Sequence, residues 1–318
     1  MEQAAVTVPA TITRTRSRRK AKRYGLLALM MVPGLLYFLI NNYLPMFGLM
    51  VAFKDVNFSE GMFSGKWVGL KNFEYLFKTT DAYIITRNTL LYNGTFIIIN
   101  TVAAIAVAIL LNEIKNKLFM RFYQSVVLIP YLISTIIISY LVFSMLSTET
   151  GFVNKTILPL FGMEGISWYS EAKYWPFILT IVNIWKGVGF LCVIYLASMI
   201  GIDPEYYEAA TIDGASKFQQ IRAITLPLIV PTIITMTLLA IGRIFYSDFG
   251  LFYQVPMNAG ALYDTTNVID TYVYRGLMQL GDIGMSSAAG MYQSLVGLVL
   301  VLVSNYIVRK INRENSLF

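Results

Sequence analysis

Three charged side chains sit inside or against the most apolar parts of the chain. Lys186 lies within the run Trp175–Met199, three residues after Asn183 and so on the same face of a helix, with Trp185 beside it. Arg243 falls near the end of the run Leu226–Phe245 and is followed by Tyr246 and Asp248. Ionisable groups in such surroundings normally face a cavity or pair with a partner, because an isolated charge there is costly. Two readings follow. Lys186 and Arg243, on adjacent spans, form a positive cavity that favours carboxylates by charge pairing in a low dielectric. Alternatively Lys186 snorkels towards an interface, or pairs with Asp248 as internal scaffolding.

Other chemistry is excluded by composition. The chain has no histidine and only Cys192, which rules out intramolecular disulfides, Cys–His metal sites and histidine acid–base catalysis. No Gly-x-x-x-x-Gly-Lys-Ser/Thr loop exists, and Gly61 to Lys66 has the wrong spacing, so no P-loop nucleotide site is expected. No catalytic or metal-binding residues are assigned. Energy for any work done by this chain must come from elsewhere.

The elements that carry these residues are apolar. Hydrophobic residues make up 56% and charged residues 14% of the 318 residues, with a mean hydropathy of +0.60. A soluble domain has about 45–50% apolar and about 25% charged residues. Runs long enough to cross a bilayer, which takes about 20 residues, fall near Gly25–Tyr43, Thr89–Leu111, Phe122–Met145, Trp175–Met199, Leu226–Phe245 and Ala288–Val308. An all-α protein with six transmembrane helices is expected. Pro33 and Pro130 read as kinks and Leu44-Pro45 as a terminator of the first span. Lys and Arg favour cytoplasmic loops. With the N-terminus inside, the cytoplasmic segments hold the basic run Arg14–Arg23, Lys115, Lys117, Arg121, Lys217, Arg222, Arg309, Lys310 and Arg313. The outside segments, although longer, hold only Lys54, Lys66, Lys71, Lys78, Arg87, Lys155, Lys173 and Arg275. Both termini are therefore expected in the cytoplasm, with the basic run as a topology anchor and the first span a retained helix rather than a signal peptide. Residues 1–23 form a basic tail, 24–313 the membrane domain and 314–318 a short cytoplasmic end.

The fourth and fifth spans are joined by the stretch 203–227, the one long polar interval that this orientation places inside. Asp203 is placed to cap a helix that starts with Pro204 at its first position. Gly214 provides a turn, and Lys217–Thr225 forms a second short helix that stops before Pro227. Ala209, Ala210 and Ala215 bury little but permit close approach of another backbone. The layout Glu208-Ala209-Ala210, three residues, Gly214, nine residues, Ile224-x-Leu226-Pro227 resembles the EAA signature of permease subunits of bacterial ABC importers. The stretch Trp67-Val-Gly69-Leu70-Lys-Asn72-Phe73 to Phe77, read as an interfacial helix, resembles a segment following the first span of sugar-transport permeases. Arg87-Asn88-Thr89-Leu90, Gly151-Phe-Val-Asn154 and Leu158–Gly162 are similar to further segments of that group.

The resemblance covers nearly the whole chain and is nearest to permeases for alginate- or polygalacturonate-like oligosaccharides. It implies a multi-pass protein of the bacterial inner membrane, paired with a second permease, two cytoplasmic ATPase subunits and an extracytoplasmic solute-binding protein. ATP and Mg would bind in the partner subunits, with no cofactor in this chain. Carried onto this sequence, Glu205, Glu208, Ala209, Ala210, Asp213, Gly214 and Ala215 would form the docking turn, linked to the fifth span by Ile224, Leu226 and Pro227. Asn183, Trp185, Lys186, Arg243, Tyr246 and Asp248 would line the substrate pathway, with Trp185 and Tyr246 stacking on sugar rings. The alternatives are an ABC permease for neutral sugars, amino acids or peptides, and a stand-alone secondary transporter. The absence of inverted repeats and of membrane-centre carboxylates counts against the latter.

Overall fold

The computed structural model describes residues 24–25, 27–56, 61 and 65–311, so the basic run Arg14–Arg23, Arg313 and residues 314–318 lie outside it. The chain divides into two units, Met1–Val51 and Ala52–Phe318.

Helix α1, Leu27–Phe53, holds most of the described residues of the first unit. Pro45 was expected to end it and does not. The turn Leu39–Tyr43 is wound as a π-helix, in which the Leu44 N–H donates to the Leu39 carbonyl five residues back. Past Pro45 the chain continues as a tighter helix to Phe53.

In the second unit a small antiparallel hairpin, β1 Lys54–Asp55 and β2 Lys66–Trp67, pairs Lys54 with Trp67 and Asp55 with Lys66. It is the one strand pairing among the described residues of a helical fold. It also corrects the reading of Trp67–Phe77 as one helix. Trp67 is in the strand, Gly69 turns with φ +61, and α2 occupies only Lys71–Lys78. Asn72 holds the hairpin to this helix by donating from Nδ2 to the carbonyls of Ala52 and Lys54, at 2.9 and 3.0 Å.

The remaining helices of eight or more residues are α3 Thr80–Asn112, α4 Lys117–Leu132, α5 Thr135–Leu146, α6 Trp175–Ile200, α7 Pro204–Ile212, α8 Lys217–Ile241, α9 Ile269–Met278 and α10 Ile283–Ile311. Among the described residues five helices are long and apolar enough to cross a membrane, or six if α4 and α5 form one broken span. That pair bends by 91°. Pro130 sits inside α4, and the break comes after it, where Ile133 and Ser134 turn extended with ψ near 132° and 137°. The expected fifth span is also displaced, starting at Lys217 and stopping at Ile241 before Arg243.

α3 and α6 run parallel. Tyr92 and Phe96 pack with Leu179 and Val182 near one end, while Ala104 and Ala108 pack with Val188, Cys192 and Tyr195 further along. In a bilayer such contacts hold helices together by fit and hydrogen bonding rather than by expelling water. At Gly189 the backbone of α4 comes so close that a Cβ would lie 2.1 Å from the Val127 carbonyl oxygen. Asn88 and Thr89 do not open α3, which starts at Thr80. They sit inside it and fasten the segment that leads into α9. Asn88 Nδ2 donates to the carbonyls of Asp264 and Asn267, and Thr89 Oγ1 accepts from the Ile269 N–H. Gln293 of α10 likewise donates to the Phe245 carbonyl and to Asp270 Oδ1, an interhelical role expected from its polar amide in an apolar run.

Candidate functional site

Two sites are joined by α8, a polar turn at one end and a cavity at the other. At the turn Asp203 Oδ1 accepts from the Glu205 N–H at 3.0 Å and Pro204 takes the first helical position, as expected from a cap followed by proline. α7 ends at Ile212. Asp213 donates back to Ala209 and Ala215 to Ala210, and Gly214 turns with φ +80, a conformation that a Cβ disfavours. Ser216 and Gln219 then form a capping box that starts α8.

The second arm does not stop before Pro227. Residues Ile221–Thr225 form a π-turn in which the Leu226 N–H reaches the Ile221 carbonyl, and the helix passes through Leu226 and Pro227 into the membrane segment. Ile224 and Leu226 are half-buried, and Leu226 packs on the cluster around Ala108 and Ile229. Glu205, Glu208, Ala209, Asp213 and Gly214 are exposed, together with Tyr206, Ile212 and Phe218. A small-residue turn flanked by exposed apolar side chains is suited to a complementary groove.

Four residues that the sequence reading did not single out make the turn rigid. Gln220, buried, donates from Nε2 to Thr211 Oγ1 at 3.0 Å and to the Ala215 carbonyl at 3.2 Å. The hydroxyls of Tyr207 and Thr225 meet at 2.9 Å. Lys217 adds an exposed ion pair with Glu113 at the end of α3, 3.5 Å apart. A polar side chain on each arm facing across a glycine turn was the available signal.

The cavity holds about 240 Å³ between α3, α6, α8 and the corner that follows α8. Its polar lining includes Asn93, Asn100, Asn183, Arg243, Tyr246 and Asp248. Asn100 Nδ2 donates to Asn183 Oδ1 at 2.7 Å, while the buried Asn100 Oδ1 has no hydrogen-bond partner among the described residues. The corner is braced by Asn93, which donates to the Ile244 carbonyl at 2.8 Å, and by Asp270, whose Oδ2 accepts from the Ser247 N–H at 2.8 Å. Burial raises the Asp270 pKa, against those hydrogen bonds.

Four of the six expected pathway residues therefore come together here: Asn183, Arg243, Tyr246 and Asp248. Lys186 does not line the cavity. Its Nζ donates to Thr135 Oγ1 at the α4–α5 break and lies 3.4 Å from Asp248 Oδ2, the pairing that the scaffold reading expected. Trp185 is 43% exposed and also outside the lining. Positions 183, 187 and 191 recur on one helical face, and position 185 lies well round the helix from it. Arg243 is left as the cavity's cation without an ion-pair partner among the described residues.

A family model described as the binding-protein-dependent transport system inner membrane component matches residues 100–313. Protein LplB of Bacillus subtilis is 35% identical over 293 residues, covering 92% of this chain and 91% of its own. The polygalacturonan/rhamnogalacturonan transport system permease protein YteP of the same organism is 33% identical over 317 residues, or 98% of each. Among solved structures, a chain of a bacterial ABC transporter involved in import of the acidic polysaccharide alginate superposes with a TM-score of 0.84 and 33% identity, over 93% of this chain and 99% of that one.

Proposed function

Because the chain belongs to the family of inner membrane components of binding-protein-dependent transport systems, we propose that it forms half of the pathway of an ATP-driven importer for acidic oligosaccharides. The oligosaccharide class is drawn from the relatives, which include a polygalacturonan/rhamnogalacturonan permease and a transporter of alginate. The acidic preference rests on one observation: Arg243 lines a cavity rich in carboxamides and has no ion-pair partner among the described residues, whereas Lys186 is held by Asp248. A uronate carboxylate would complete Arg243, and the unpaired Asn100 oxygen would accept from a ring hydroxyl. Membership of this family sets aside the stand-alone secondary transporter.

The partners of this reading are a second permease, two ATPase subunits that bind ATP and Mg, and a solute-binding protein outside. The solved alginate transporter has been captured with a pentasaccharide-bound periplasmic protein. The turn 203–227 would seat in the ATPase, with both termini on the same side as that turn, the tail 1–23 serving as a basic anchor and 24–313 forming the membrane domain. The test is uptake of uronate and neutral oligosaccharides of equal length into vesicles holding the complete importer. Arg243→Gln should lower uronate uptake by about tenfold or more relative to neutral uptake, as expected when a charge-assisted bond is lost. An unchanged preference would refute the acidic assignment.

A further inference from the structure

A second groove, of about 530 Å³, lies away from the cavity, along the N-terminal halves of α3 and α6. Leu91, Thr95 and Ile99 of α3 and Phe177 and Ile181 of α6 form its walls, with Arg87 lining the same groove nearer the start of α3. Leu91, Phe177 and Ile181 are 62%, 71% and 65% exposed, so this apolar surface is offered to whatever surrounds the helices. Arg87 stands over the ring of the exposed Tyr83, 5.6 Å from its centroid. Its acceptors are neutral. Nε and Nη2 donate to Asn88 Oδ1 at 3.2 and 3.0 Å, and Nη2 to the Asp264 carbonyl at 2.9 Å. No acceptor for Nη1 and no carboxylate ion pair for Arg87 is found among the described residues.

We propose that this groove binds a membrane phospholipid, with an acyl chain along Leu91, Ile99, Phe177 and Ile181 and the phosphate on the guanidinium of Arg87. The placement is that of an interfacial site. Arg87 is two turns into a membrane-spanning helix, where a cation reaches for the headgroup layer, and Tyr83 is the amphipathic ring expected at the same level. The neutral acceptors orient the guanidinium without neutralising it, which leaves the charge for a phosphate. Asn88 and Arg87 both hold the Asp264 carbonyl, so a bound lipid would also steady the segment that leads to α9. The inference depends on the chain spanning a membrane and not on its substrate.

The test uses the complete importer in vesicles doped with a phosphatidylglycerol carrying a photoreactive acyl chain, followed by peptide mapping. Label should concentrate on the peptides containing Leu91–Ile99 and Phe177–Ile181, above the level on the exposed face of α10 at Leu298 and Val299. Arg87→Gln should reduce it there by about fivefold or more while Arg87→Lys retains most of it. Ile181→Trp, which fills the groove and leaves Arg87 and its hydrogen bonds in place, should reduce it as well. A phosphate-free diacyl glycolipid with the same photoreactive chain should label weakly and be insensitive to Arg87→Gln. Label that is uniform over the apolar surface, or unchanged in both Arg87→Gln and Ile181→Trp, would overturn the proposal. So would a cysteine at position 181 that cross-links in high yield to a second permease chain, since a protein helix would then occupy the groove.

Discussion

Gly187 and Gly189 look equivalent in sequence, two small residues that open the surface of one helix, yet only one of them is used that way. A methyl group at Gly189 would meet the Val127 carbonyl oxygen at 2.1 Å, a backbone atom that cannot rotate aside, whereas at Gly187 it would touch the Asn100 side chain at an ordinary 3.6 Å. Gly189→Ala must therefore push α4 from α6, and a cost of about 1–3 kcal/mol is expected for such overpacking. Thermal unfolding of the purified importer should shift down for Gly189→Ala and stay within error for Gly187→Ala; equal shifts would mean that the close approach is not what holds α4. At Gly290, in α10, a Cβ would have no atom within 4 Å. The same limit explains Trp185. In a soluble helix the polar face reports which way is out, but a membrane helix is apolar all round, so residue types alone leave its rotation open. Asn183, Arg243, Tyr246 and Asp248 were legible because polar groups in an apolar run must converge on one another or on a cavity. The pairing of Lys186 with Asp248 and Thr135 needed the fold, since it joins residues from three separate segments.

At the scale of elements, the helix–turn–helix of residues 203–220 was legible almost in full, because caps, a proline and a glycine each act on their immediate neighbours. Proline misled where it was read as a stop. At Pro45 and Pro227 the preceding residues wind into a π-turn and the helix goes on, while at Pro130 the break is displaced to Ile133 and Ser134. Local propensity does not register these outcomes, as neighbouring helices and a bilayer without water make continued helix the only way to satisfy the backbone. What sequence spacing did not reveal is that the arms of the turn are bonded to each other. Gln220→Leu removes both amide hydrogen bonds, to Thr211 and to Ala215, and leaves the exposed docking face untouched. If the turn transmits force from an ATPase, this variant should still co-purify with its partners, yet the solute moved per ATP hydrolysed should fall by about threefold or more, as a lost buried hydrogen-bond network permits. Loss of assembly would make Gln220 a folding residue, and an unchanged transport-to-hydrolysis ratio would remove it from the coupling path.

The second unit as a whole contains one continuous connection from the turn to the cavity. α8 leaves the capping box at Ser216, passes the π-turn, and ends at Ile241, two residues before Arg243. α6 runs beside it from the cavity back towards α7, and the two are tied between these ends by Ser198 and Thr232, whose hydroxyls lie 2.9 Å apart. With the Tyr207–Thr225 and Gln220–Thr211 contacts at the turn, α6, α7 and α8 are fastened at several levels and are expected to move as one body. The rocking that alternates access would then occur where this chain meets its partner permease and not between its own helices. A disulfide between Ser198→Cys and Thr232→Cys distinguishes the two cases, and the native Cys192 is buried and does not compete. In the complete importer, oxidising this pair should leave uptake within about twofold of the reduced state if α6 and α8 travel together, because a rigid-body transition strains no contact inside the body. A block of uptake that reduction reverses would show that α8 slides along α6 in each cycle, so that movement at Gly214 would reach Arg243 through shear of the two helices.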